Sequence, residues 1–277
     1  MLGDAIKGVY ASVYYKDSKA YMQATRNVID QEKMAVILQE VVGTQYGERF
    51  YPSISGVARS LNYYPIGDEK AEEGTVSLAL GLGKYIVDGG LTLRLCPYHP
   101  TQVLQTSEME IALRETQTSF YALDLKNKGE NFSLDDGFNL LKLPVKEAEK
   151  DGALQYIAST YDPYDMVIRD GIYPGGRKVI TFANILQHEV FPLSRILQLV
   201  QEYGQGEMRR PVEIEFAVTL NQKEKTGTFY LLQVRPMVDV KADLSEDLNL
   251  IPEENVLLKS NNSLGHGVME DMYDVVY

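Results

Sequence analysis

The stretch that most limits how this chain can fold is a strand pair towards its C-terminal end. Val212 to Leu220 and Thr228 to Val234 are rich in β-branched, aromatic and aliphatic residues. A polar turn, Asn221-Gln222-Lys223-Glu224-Lys225-Thr226-Gly227, joins them, so they read as an antiparallel hairpin. Side chains alternate faces along a strand, so Glu213 and Glu215 share one side while Ile214, Phe216 and Val218 share the other. On the second strand Gln233 and Arg235 also share a side. Antiparallel pairing can bring Glu215 opposite this pair, with Cβ atoms within about 5 Å. A carboxylate, an amide oxygen and a guanidinium then converge. The two oxygens are hard ligands suited to magnesium, and arginine offers a rigid fork for phosphate oxygens. The same pattern also describes a solvated sheet face carrying a Glu–Arg pair.

A helix leads into the hairpin: Leu193, Ile196, Leu197 and Val200 fall on one face of Pro192 to Tyr203, with Pro192 suited to the first turn and Gly204 to the end. Far upstream, Ile6, Val9, Val13, Tyr14 and Tyr21 predict a helix over residues 4–28. Met34 to Val42 predicts a buried strand, and Glu48 to Asn62 an extended segment that forms a hairpin with it through Gly43 and Gly47. Thr75 to Leu80 predicts a strand, Lys84 to Gly90 a short helix ended by glycines, and Leu91 to Leu95 a strand closed by Pro97 and Pro100. Residues 101–150 are polar and mixed, with an amphipathic piece around Met109–Leu113 and a strand around Phe120–Leu125; they read as an insertion or a covering layer. Ala153 to Ser159 and Met166 to Arg169 read as strands around an aromatic turn, and Ile180 to Leu186 opens on a β-rich stretch. After Pro236 the chain turns acidic and loop-like to about Asn262. The mixture is α+β with mainly antiparallel sheet and no internal repeat.

Charge and cysteine content narrow the function. The 277 residues carry a net charge of -12, which repels nucleic-acid phosphates and anionic lipid and so predicts neither as a partner. ATP stays compatible, because a metal ion and a few local cations decide that contact. The single cysteine, Cys96, excludes an internal disulfide and agrees with a reducing cytoplasm. No apolar run approaches the roughly 20 residues that span a bilayer, and no basic start followed by an apolar stretch marks a signal peptide. The abrupt ends read as those of a piece of a longer protein. Gly81-Leu82-Gly83, between a strand and a helix, could let backbone amides approach a phosphate, although it equally suits a tight turn. His99, His188 and His266 lie far apart without metal spacing and read as structural or surface residues; Cys96 shows no partner that would make it a nucleophile. Glu213 and Glu215 as paired hydrolytic carboxylates fit poorly, since neighbours two apart on one strand do not flank a substrate bond.

Several motifs in order resemble one family. Arg210-Pro211-Val212-Glu213-Ile214-Glu215-Phe216-Ala217 followed by Leu231-Leu232-Gln233-Val234-Arg235-Pro236 resembles the end of the nucleotide-binding domain of phosphoenolpyruvate synthase and pyruvate phosphate dikinase. So do the helix carrying Tyr203-Gly204, the Ala5-Ile6-Lys7 to Tyr14 stretch, Met34 to Gln39 with Ser55-Gly56-Val57-Ala58-Arg59-Ser60, and Leu80-Gly81-Leu82-Gly83 with Gly89. The order agrees across residues 5–100 and 190–237, while 101–189 is divergent or inserted. The resemblance implies an ATP-grasp-like α+β fold in which two subdomains clasp ATP. Residues 1–240 would form part of that domain, and 241–277 an acidic linker to a further domain. It implies Glu215 and Gln233 as magnesium ligands and Arg235 as the catalytic contact to the terminal phosphates. Gln39, Ser60, Gly81, Gly83 and Lys84 would join Arg235 in binding ATP. The implied activity moves phosphoryl groups from Mg-ATP through a histidine on a separate domain to pyruvate. The full-length parent would be a cytoplasmic enzyme and a homodimer. One departure stands out: the family's glycine turn usually continues with a glutamate that contacts the nucleotide sugar, and here Lys84 follows. That departure favours the alternative, a non-catalytic regulatory or interaction domain that keeps the fold.

Overall fold

The computed structural model describes residues 2–16, 18–19, 34–126, 137–221, 224, 226–237 and 252–258. In chain order these form α1 (Leu2–Ser12), β1 (Thr44–Tyr46), β2 (Arg49–Tyr51), β3 (Ile54–Arg59), β4 (Thr75–Ala79), α2 (Lys84–Val87), β5 (Leu93–Leu95), α3 (Met109–Glu115), β6 (Ser119–Asp124), β7 (Leu140–Pro144), α4 (Val145–Lys150), β8 (Ala158–Asp162), β9 (Val167–Asp170), β10 (Arg177–Ile180), α5 (Ala183–Leu186), α6 (Leu193–Met208), β11 (Val212–Asn221) and β12 (Thr226–Pro236). The architecture is α+β, and every strand pairing among the described residues is antiparallel.

The central sheet has five strands in the order β12-β11-β3-β4-β5. Its inner face follows from period-two alternation: Ile54 and Ala58, Val76 and Leu78, Leu93 and Leu95, and Val212, Ile214, Phe216 and Val218 all sit in one hydrophobic core. Leu193 and Leu197 of α6 pack into this core, with Ile196 and Val200 against its edge. Each such side chain, fully buried, contributes about 1.5–3 kcal/mol. Two further sheets flank it, β1-β2-β6-β7 and β10-β8-β9. The 101–189 region, expected as divergent or inserted, lends Phe120, Ala122, Ala148, Leu154, Ile157, Phe182 and Ile185 to the same core. It is stitched on by hydrogen bonds as well: the Gln117 side chain bonds both the N–H (2.8 Å) and the C=O (3.0 Å) of Leu80.

Five sequence expectations change. Residues 153–157, read as most of a strand over Ala153 to Ser159, are turn, and β8 begins only at Ala158. The 4–28 helix breaks after Ser12: residues 13–15 are turn and bend, and residues 16, 18 and 19 are helical again. Ser12 Oγ donates to Val9 O (2.7 Å) and Ser18 Oγ to Ser12 O (2.7 Å), so hydroxyls occupy carbonyls that helical N–H groups would use. Residues 17 and 20–28 of that expectation lie outside the described residues. Met34 to Val42 forms no strand, and Ile37 is 87% exposed. A strand needs a ladder partner, and both edges of β2 are taken by β1 and β6 while both edges of β3 are taken by β11 and β4. Beyond Ile180 the β-rich stretch turns into α5. Finally, α6 runs through Gly204 to Met208 and ends where Arg209 adopts a left-handed φ of 53°. Gly204 is there for packing: an added Cβ would meet Val212 at 3.3 Å, so glycine lets the helix lie close against the sheet.

Candidate functional site

The outer face of the central sheet carries the residues opposite in phase to the core: Val57 and Arg59 on β3, Thr75 and Ser77 on β4, and Glu213 and Glu215 on β11. Register sets their neighbours. Arg235, Glu213, Arg59 and Thr75 form one row across four strands, and Gln233, Glu215, Val57 and Ser77 form the next.

The first row is a charge network. Glu213 accepts from Arg59 Nε at 2.7 Å and from Arg235 Nε at 2.9 Å, and also pairs with an Arg235 terminal nitrogen. The side chain of Glu213 is 11% exposed, whereas those of Arg59 and Arg235 are 47% and 57% exposed, so the carboxylate is enclosed while both guanidinium groups reach solvent. Burial alone would push the Glu213 carboxyl up. The hydrogen bonds and charges of Arg235 and Arg59 outweigh it and hold the carboxyl below its ordinary value. The same contacts raise the Arg235 guanidinium further above neutrality.

Glu213→Gln is therefore expected to destabilise the fold by about 1.5–3 kcal/mol, the usual worth of hydrogen bonds to a charged group. The sign with pH follows: a depressed carboxyl stabilises above its ordinary value of 4.5 and loses that contribution as pH falls through the folded-state value. Urea unfolding from neutral to acid pH checks this. The wild type loses stability along the acid limb, and the variant shows a flatter limb.

The second row places Glu215 directly opposite Gln233. This refines the expected constellation: Arg235 faces Glu213, one pair along, because Pro236 closes the ladder opposite Val212. Immediately beyond, the ladder slips. Phe216 pairs with Leu231, so Leu232 is an extra residue on β12, a β-bulge of the kind that re-aims side chains. Gln39 Nε2 donates to Leu232 O at 3.1 Å, which sets Gln39 beside Gln233 despite the missing strand around it.

The remaining predicted residues divide between the two ends of β3. Ser60 is buried beside the Arg59 row; its N–H donates to Val212 O (3.0 Å) and its Oγ accepts from Val212 N (2.9 Å). It also lines a cleft of about 560 Å³ with Gln201, Arg209 and Arg210. Gly81, Gly83 and Lys84 lie at the opposite end, since Ser55 pairs with Ala79 while Arg59 pairs with Thr75. The four-residue span separates the ends by roughly 14 Å. At Gly81, φ is +86° and an added Cβ would lie 2.7 Å from Tyr121 O, so glycine is needed where the turn presses on β6. Ser55 Oγ donates to Gly81 O (2.7 Å) and Leu82 N to Tyr121 O (2.9 Å). Lys84 Nζ pairs with Asp88 at 3.1 Å. Gly83, 3.8 Å from the Ser55 side chain by its added Cβ, borders the same outer face as Glu215.

The AMP/ATP-binding domain of pyruvate phosphate dikinase is the family whose profile matches this sequence, over residues 1–251. The chain belongs to that family. No curated protein matches it. The α+β architecture with antiparallel sheets is that of an ATP-grasp-like domain. Among the described residues no helix is long and apolar enough to cross a membrane.

Two features of this pyruvate phosphate dikinase-type domain escape the sequence pattern. Arg59 joins Arg235 on Glu213 although 154 residues separate Arg59 from Glu213 in sequence. Cys96 and His99 meet Glu73, their Sγ, Nε2 and carboxylate atoms all within 4.8 Å of one another. The Cys-x-x-His spacing was the available signal for the second. His188 pairs with Asp170 at the surface (3.1 Å), and His266 lies outside the described residues.

Proposed function

We propose that the outer face of the central sheet binds Mg-ATP, and that the chain serves a phosphoenolpyruvate synthase or pyruvate phosphate dikinase-like phosphotransferase. The observation that carries this reading is Glu215 directly opposite Gln233, one residue pair from Arg235, on the open face of a family member. A carboxylate and an amide oxygen are a hard donor pair that fits magnesium. Glu215 and Gln233 would hold the ion, which when bound supplies charge neutralisation for the phosphates. Arg235 reaches the terminal phosphates, held in place by Glu213, and is the catalytic group because phosphoryl transfer needs positioning and electrostatics. Gln39 and Ser60 border this end. Gly81, Gly83 and Lys84 border the other, where the nucleoside would lie. Phosphoryl transfer through a histidine on another domain to pyruvate, a cytoplasmic location and a homodimeric parent complete the reading.

The experiment is an assay of ATP- and pyruvate-dependent phosphoenolpyruvate formation by the full-length protein, with Arg235→Ala as the control. Thermal midpoints separate loss of fold from loss of the site. Unchanged turnover in a folded Arg235→Ala protein would overturn the assignment. The Lys84–Asp88 pair at the nucleoside end supports a second reading, a regulatory domain that binds ATP without turnover. Saturable Mg-ATP binding by the full-length protein with no phosphoenolpyruvate formed would select it.

A further inference from the structure

Glu73, Cys96 and His99 lie at the end of β4 and β5 where Val76 pairs with Leu95, so the residue preceding β4 by two and the loop following β5 are held side by side. Glu73 Oε2 stands 3.1 Å from His99 Nε2 and 3.8 Å from Cys96 Sγ. Atoms sharing one tetrahedral ion, with bonds of about 2.0–2.3 Å, lie about 3.3–3.6 Å apart. Both distances from the Glu73 oxygen are therefore within a few tenths of an ångström of ligand spacing, and Cys96 Sγ lies within 4.8 Å of His99 Nε2.

The surroundings hold the donors in place. Lys70 N donates to Glu73 Oε2 (2.9 Å), which orients the carboxylate. His99 N donates to Cys96 O (3.0 Å) and Gln198 Nε2 donates to Pro97 O (2.8 Å), so the loop is closed on itself and tied to α6. The neighbours Glu72 and Tyr98 line the 560 Å³ cleft.

We propose that Glu73, Cys96 and His99 bind a borderline-soft divalent cation of the zinc class, with water in the fourth position. Thiolate and imidazole select such an ion over magnesium. Binding sends the Cys96 thiol proton to solvent, and His99 ligates as the neutral imidazole. Burial pushes the free thiol up and the Glu69 and Glu73 charges add to this, while the backbone N–H groups of Tyr98 and His99 oppose it. A cation beside the sulfur compensates the first two influences. The site is separate from the Glu215–Gln233 pair, with two inter-strand spacings or roughly 10 Å across the sheet between β11 and β4, and stands whether or not ATP is bound there.

The test is a titration of the metal-free full chain with Co²⁺, followed in the near ultraviolet for the thiolate-to-cobalt charge-transfer band. One equivalent should saturate the band, Zn²⁺ should displace it, and excess Mg²⁺ should leave it unchanged. Cys96→Ser should abolish the band. His99→Gln and Glu73→Gln, at side chains 24% and 17% exposed, should weaken Co²⁺ binding more than about tenfold while circular dichroism shows them folded. His99→Gln carries the test if the buried serine disturbs folding. No band in the wild type, displacement by magnesium, or wild-type affinity in His99→Gln overturns the proposal.

Discussion

Glu215→Ala in the full-length protein is expected to slow ATP-dependent phosphoenolpyruvate formation about a thousandfold, equivalent to about 4 kcal/mol of lost transition-state stabilisation. The size follows from chemistry: the alanine removes the only carboxylate in the Gln233–Glu215–Val57–Ser77 row. An amide oxygen alone is a weak magnesium ligand, so the magnesium concentration for half-maximal rate should rise together with the fall in kcat. Glu215→Gln should fall in between. The fold should survive, because Glu215 is only half-buried and the enclosed charge network belongs to Glu213. A folded Glu215→Ala protein with unaltered magnesium dependence would show that the ion, if used, is held elsewhere.

Phe216→Ala is the largest expected effect on stability, about 3–5 kcal/mol. Phe216 is 1% exposed, at the centre of the core and stacked on Phe229 with ring centroids 5.0 Å apart. Its ring occupies the space that Gly56, directly opposite on β3, leaves open. A Cβ added at Gly56 would lie 2.2 Å from Phe216 Cζ. Gly56→Ala should thus cost about 1–3 kcal/mol through overpacking, since Phe229 blocks the ring's retreat. The two sites share one volume, so their effects should not add. In a Phe216→Leu background the Gly56→Ala cost should shrink by more than half. Denaturant midpoints of the four proteins measure the coupling. An undiminished Gly56→Ala cost in that background would mean that the ring and the missing Cβ are not one fit.

What was legible in the sequence is what local periodicity carries. The alternation along Val212–Asn221 specified both the strand and which residues face the core, because side chains in a strand have a period of two. The strands at Thr75 and Leu93 and the short helix at Lys84 were legible for similar reasons: apolar runs bounded by glycine and proline. The family followed from several motifs in order, confirmed by the match over residues 1–251.

Where local pattern and long-range pairing compete, only the tertiary structure decided. Met34 to Val42 has strand composition, yet both edges of its expected partners are occupied, and a strand without a ladder does not form. Gly204 has the composition of a helix end, yet its value lies in close approach to Val212, which no local window contains. Register and the bulge at Glu215/Phe216 settled which carboxylate meets which cation: Glu213 takes Arg235 and Arg59, leaving Glu215 to Gln233. Likewise Glu73 reaches Cys96 and His99 only because β4 and β5 are paired. The sequence by itself determined the hairpin, its two faces and the family; the tertiary structure chose the partners, because pairing depends on residues far apart along the chain.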